Sequence, residues 1–143
     1  MRTIKTERFM LDGDTLPNTP IPHDCVIESI QEDNEYLILI FENRISQHDS
    51  IRAYQPYAKS LRMRFHKRGP EKIDIYQYKK TKHHEGYMKV KDMQRQILNW
   101  KRSAEYLNHY LSPCRSVIVE LCADSLVFLM IETDFIEYEW VFE

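Results

Sequence analysis

The stretch VKDMQRQILNWKRSAEYLNHYL, Val90 to Leu111, decides the fold class. Val90, Met93, Ile97, Trp100, Ala104, Leu107 and Leu111 recur at alternating steps of three and four. That is the spacing of one apolar stripe on an amphipathic helix. Lys91, Arg95, Arg102 and Glu105 fall largely outside it, Asp92 is placed to cap the start, and Pro113 marks the end. A helix over residues 92–111 would be about 30 Å long. A break at Lys101-Arg102-Ser103 would divide it into two shorter helices.

On either side of this stretch the pattern is that of strands. Cys25–Ile30 and Tyr36–Phe41 are apolar runs around a turn at Asp33-Asn34, which reads as a hairpin. Ser60–His66 alternates cleanly, with Leu61, Met63 and Phe65 against Arg62, Arg64 and His66. Lys72–Tyr78 follows after a Gly69-Pro70 turn. Matching apolar faces pairs these two, Phe65 with Ile73 and Met63 with Ile75, and sets Arg64 opposite Asp74 and Arg62 opposite Tyr76. Ser116–Cys122, Ser125–Ile131 and Asp134–Phe142 read as three more strands, with turns at Ala123-Asp124 and Glu132-Thr133. Residues 3–10 form a short first strand, and the proline-rich Asp12–Asp24 is an ordered lead-in. The expected architecture is α+β: a bent, mostly antiparallel sheet of about seven to eight strands packed on one long helix at about 92–111, continuous or broken. Residues 1–143 form a single domain, since 143 residues can bury a core without metals or disulfides.

Composition narrows the function more than it names one. Three glycines leave no phosphate-cradling loop, so nucleotide folds built on GxGxxG or a P-loop are excluded. Cys25, Cys114 and Cys122 form no CxxC pair and read as buried thiols in a reducing compartment. With no apolar leader in Met1–Arg8 and no window near ~18 apolar residues, the expected location is cytoplasmic, away from membranes.

Charge is unevenly spread. Lys59–Arg102 holds fourteen basic and four acidic residues, a net of +10, against six basic and eighteen acidic elsewhere, a net of −12. Arg62, Arg64, Lys79, Lys80 and Lys82, interleaved with Tyr76, Tyr78 and Tyr87, would make a basic face for nucleic acid if they converge. If the two blocks instead meet within the fold, they neutralise each other.

His23-Asp24 and His48-Asp49 are HD dipeptides, a pairing that metal-dependent phosphohydrolases use on helices among other ligands. Here prolines precede the first and strand residues follow it. His23 and Asp24 therefore read as a structural corner before a metal candidate. A zinc site from His109, Cys114 and Cys122 has a blander counterpart in a helix-end histidine and two strand thiols. No residue is assigned a catalytic role, and no cofactor or metal ligand set is expected.

Pro22-His23-Asp24-Cys25-Val26-Ile27-Glu28-Ser29-Ile30, followed by Leu37–Glu42, resembles the opening of small bacterial β-rich domains, among them immunity proteins of polymorphic toxin systems. The resemblance covers residues 22–42. It implies binding of a protein partner, often a toxin, and supplies no catalytic residues. The functional expectation is a non-enzymatic bacterial binding protein that neutralises or assists a protein partner. Its alternatives are a nucleic-acid-binding module on the 59–102 block and a hydrolase around His23 and Asp24. Homodimerisation through an exposed edge of the long aromatic final strand also fits the sequence.

Overall fold

The computed structural model describes residues 2–11, 19–69, 73–90, 104–112, 116–123 and 125–143. Its organising element is β9, Leu126–Phe142, a strand of 17 residues. Val127, Leu129, Ile131 and Thr133 point inward along its first half, and Ile136, Tyr138 and Trp140 along its second. The inward set thus changes from odd to even numbers at Asp134-Phe135. Opposite that point stands a single residue, His66, which is hydrogen-bonded to Asp134 at 3.3 Å and stacked on Phe135 at 4.6 Å. Two residues against one is a β-bulge, and it bends the strand. The Glu132-Thr133 turn expected from the sequence is therefore absent; the strand continues through it.

The bend lets β9 serve two groups of neighbours, all antiparallel to it. Its first half pairs with β8 (Ser116–Cys122) and β5 (Ile73–Lys80). The second half pairs with β4 (Ser60–Lys67) and β1 (Thr3–Met10). β4 and β5 follow one another along the same edge of β9 and do not form the expected hairpin. Arg64 faces Glu137 across the sheet where Asp74 was expected, and Arg62 faces Glu139 where Tyr76 was expected.

β2 (Val26–Glu32) and β3 (Tyr36–Phe41) form the expected hairpin, closed by the Asp33 carboxylate, which accepts from the Glu35 and Tyr36 amides. β3 pairs with β4, and β2 meets β7 (Ala104–Ser112) at only two register positions. β7 pairs with β8, so β2, β3, β4, β9, β8 and β7 close a six-stranded antiparallel barrel. β6 (Glu85–Lys89) extends the sheet beyond β5. Among the described residues there are nine strands and one helix, α1, of four residues (Asp49–Arg52), beside a 3-10 turn at Ile45–Gln47.

The fold is nearly all β, which overturns the α+β expectation. Of the anticipated helix at 92–111, residues 104–111 lie in β7. Its remainder, with Asp92, Met93, Ile97 and Trp100, lies outside the described residues, as does Cys114. Apolar side chains fill the barrel: Leu37, Leu39, Leu61, Met63, Phe65, Val119, Leu129 and Trp140 are each about fully buried. Among the described residues no helix is long and apolar enough to cross a membrane. Nor is the final strand an exposed edge, because β9 has partners on both sides.

Candidate functional site

On the outward face of β4, β9 and β1 the charges form a ladder. Glu137 is nearly buried and accepts from Arg8 at 2.7 Å and from Arg64 at 3.3 Å. Arg64 also donates to Glu139 at 3.1 Å. Both guanidiniums lie over rings, Arg8 on Phe135 at 4.2 Å and Arg64 on Tyr36 at 4.0 Å. Two arginines and two glutamates therefore neutralise one another. The consequence falls on Arg62. Its cross-strand neighbour Glu139 is engaged by Arg64, and half-buried Arg62 makes no hydrogen bond or ion pair with any described residue.

Arg62 lines a groove of about 510 Å³ where β2, β3, β4 and the end of β9 meet, together with Arg2, Glu28, Asn43, Lys59 and Glu143. Lys59 and Glu143 pair with each other. Glu28 is the extra residue of a second bulge, since Ile27 faces Phe41 while Ser29 already faces Ile40. That insertion leaves Glu28 exposed and, like Arg62, without a hydrogen bond or ion pair among the described residues. Among the described residues the groove thus offers two uncommitted guanidiniums, Arg2 and Arg62, and one uncommitted carboxylate, Glu28.

The other residues singled out from sequence separate. Lys79 and Lys80 end β5 and Lys82 lies in the turn before β6, all exposed. Arg62 is opposite Glu139 and Gln77 opposite Val127, so the two clusters are roughly 40 Å apart along β9 at ~3.3 Å per residue. Lys67 is buried, its ammonium held by Glu32 at 2.8 Å and by the Asp33 carbonyl at 2.5 Å. Lys89 pairs with Asp74 at 3.1 Å. The basic block is split, and several of its members are neutralised by acids from elsewhere in the chain.

His23 and Asp24 sit at the seam between β2 and β7. The Asp24 amide donates to the Tyr106 carbonyl at 2.8 Å, and Asp24 adopts φ 67° at this corner. His23 Nδ1 meets the carbonyl of Leu107 at 2.7 Å. Leu107 is itself the extra residue of a bulge, because Tyr106 faces Leu121 and Asn108 already faces Glu120. His23 therefore satisfies a carbonyl that the ladder leaves free. Its other nitrogen lies 3.4 Å from Asp24, and the described residues bring no group of three His, Cys, Asp or Glu together there or elsewhere. Among the described residues a metal held by His23 and Asp24 would lack the further protein donors that such sites use.

Sequence reasoning missed a buried polar chain. Tyr106 Oη lies 2.6 Å from His109 Nδ1, and His109 Nε2 lies 2.7 Å from Thr19 Oγ1. Thr19 hydrogen-bonds Tyr138, whose hydroxyl donates to the Pro20 carbonyl at 2.7 Å. Thr19 spends its one hydrogen on Tyr138, so it accepts from His109 Nε2–H, and Nδ1 accepts from Tyr106. Burial pushes the His109 pKa down to about 4. His109 thus ties the 19–22 segment to the barrel rather than ending a helix.

Cys25 is fully buried, and desolvation raises its thiol pKa to about 12. At pH 8 about one molecule in ten thousand carries the thiolate there. In native protein treated with iodoacetamide, Cys25 is expected to stay unmodified in peptide mapping; labelling at the rate of a free thiol would contradict its placement.

Comparison with family models, with curated proteins and with solved structures finds no match. The geometry of the groove has to carry the functional reading.

Proposed function

We propose that this chain is a non-catalytic binding domain that seats a segment of a protein partner in the groove at Arg62, with an acidic side chain on the guanidinium. The observation that carries this is the set of uncommitted opposite charges among the described residues, Arg62 with Arg2 against Glu28, in one groove beside a ladder whose own charges are balanced. A nucleic-acid backbone would gain from Arg62 but be repelled by Glu28. A protein surface can answer both signs at once. The resemblance of residues 22–42 to immunity-type domains supports the same class of partner, with neutralisation of a toxin as its specific form. The nucleic-acid alternative is weaker because its proposed cations are divided between two regions. The hydrolase alternative is weaker because His23 is engaged with a backbone carbonyl.

The reading is tested by affinity capture with the wild-type domain and Arg62→Ala, Arg62→Glu and Glu28→Lys variants, followed by titration of the purified partner. Removing one charge-assisted contact of ~1.5–3 kcal/mol is expected to weaken Kd roughly ten- to a hundredfold for Arg62→Ala. The melting temperature should hold or rise slightly, since Arg62 has no partner among the described residues of the free domain. Retention of an oligothymidylate with a steep salt dependence, unaffected by Arg62→Ala, would point instead to nucleic acid. Phosphoester turnover abolished by His23→Ala with the fold intact would replace binding with hydrolysis.

A further inference from the structure

Among the described residues β6 is an unpaired sheet edge, and its chemistry is self-complementary. The strand reads Glu85-Gly86-Tyr87-Met88-Lys89. Its inner side is committed to β5, with Tyr76 facing Lys89, Tyr78 facing Tyr87 and Lys80 facing Glu85. The phase of that ladder is fixed at its ends. Thr81 donates to the His84 carbonyl at 2.7 Å, and Val90 donates to the Ile75 carbonyl at 2.9 Å. Antiparallel pairs alternate between hydrogen-bonded and non-hydrogen-bonded. The hydrogen-bonded pairs along the ladder are therefore 81 with 84, 79 with 86, 77 with 88 and 75 with 90. Glu85, Tyr87 and Lys89 belong to the other set, so their amides and carbonyls point away from β5. No described strand takes them up.

We propose that this edge pairs with β6 of a second copy of the chain, antiparallel, about a two-fold axis through Tyr87. In that register Tyr87 meets its own counterpart, and Glu85 of each copy meets Lys89 of the other. All three residues with free backbone groups then form mutually hydrogen-bonded pairs. Any other antiparallel register leaves at least one of them without such a partner. The side chains agree with the backbone: Lys89, which pairs with Asp74 in its own copy, and Glu85, which accepts from the Tyr78 hydroxyl, would face each other at both ends, and neither meets its like. Lys80, Glu85 and the second copy's Lys89 would alternate in sign across the junction.

The aromatic face fits the same axis. Tyr87 is exposed and packs against Phe128 at 4.7 Å and Tyr78 at 5.6 Å, and Tyr76 stacks on Phe128 at 4.7 Å. Pairing at Tyr87 would join two such clusters into one continuous row of rings on the outer face. The interface is isologous, so it closes as a dimer and does not propagate.

The test is sedimentation velocity of the full chain from 1 μM to 500 μM, with circular dichroism confirming the fold of each variant. Wild type is expected to dimerise with rising concentration. Glu85→Lys or Lys89→Glu alone places like charges opposite each other twice per dimer and should weaken association about tenfold or more. The double variant Glu85→Lys/Lys89→Glu should recover to near wild type, and the two single variants mixed should associate with each other more tightly than either does alone. A wild-type chain that remains monomeric across the range, or a dimer indifferent to both single reversals, overturns the proposal.

Discussion

Exchanging Ile136 with Glu137 and Tyr138 with Glu139 is expected to leave the chain without a folded state, while Asp134→Ala folds. The two changes act on the same strand through different physics. Removing the Asp134 side chain costs a part-buried hydrogen bond with His66, worth about 0.5–1.5 kcal/mol. The exchange keeps the composition and the bulge but turns the Ile136 and Tyr138 side chains, each 0% exposed, outward. At ~1.5–3 kcal/mol for each large side chain, about 3–6 kcal/mol is lost. Two glutamates would turn inward at further cost. Domains of this size hold about 5–15 kcal/mol in total. The check is circular dichroism and heteronuclear NMR on both variants; a dispersed spectrum from the exchange would show that these residues do not fix the inward face of β9.

Acid should weaken the fold through His109. The ring is neutral in the folded chain, with its pKa lowered by burial from 6.5 to about 4. In the unfolded chain it binds a proton near pH 6.5. Between those values the unfolded state holds more protons, so stability falls as pH is lowered. The contribution is fully present above about pH 6.5 and lost progressively down to about pH 4, where it amounts to about 3 kcal/mol. Its structural meaning is that a second ring proton would confront the Tyr106 hydroxyl, which already donates to Nδ1. Urea unfolding of wild type at pH 7, 5.5 and 4 should show this loss, and the decline should be shallower in His109→Gln. A ring titration by NMR with its midpoint at or above 6.5 would contradict the buried chain.

The strands were legible where the apolar alternation ran unbroken: β1, the β2–β3 hairpin, β4 and β8 stand where the pattern places them. The misreadings of β7 and β9 share one cause. A bulge inserts a residue and shifts the period of two by one, so the buried positions of β7 fall at Ala104, Tyr106 and His109. In sequence, Ala104, Leu107 and Leu111 then continue a helical stripe. The same slip in β9 looked like a turn. For β4 and β5, matched apolar faces allowed a local hairpin, whereas both strands pair with a segment fifty or more residues later.

The candidate site was legible in part. Arg62 was marked as an outward cation on an alternating strand. That it is left unneutralised among the described residues depends on Glu139 being engaged by Arg64, a contact across 75 positions. Glu28 was not marked at all; only the spacing of three between Ile27 and Ile30 hinted at an inserted residue.

The position of β9 also governs the order in which the molecule can be built. Its four partners, β1, β4, β5 and β8, all precede it, and none completes its hydrogen bonds without it. A ribosome-bound chain that has emerged only as far as β8 presents greasy half-sheets with nothing to shield them. Maturation has to wait for the last strand, and until then holding chaperones have a ready substrate.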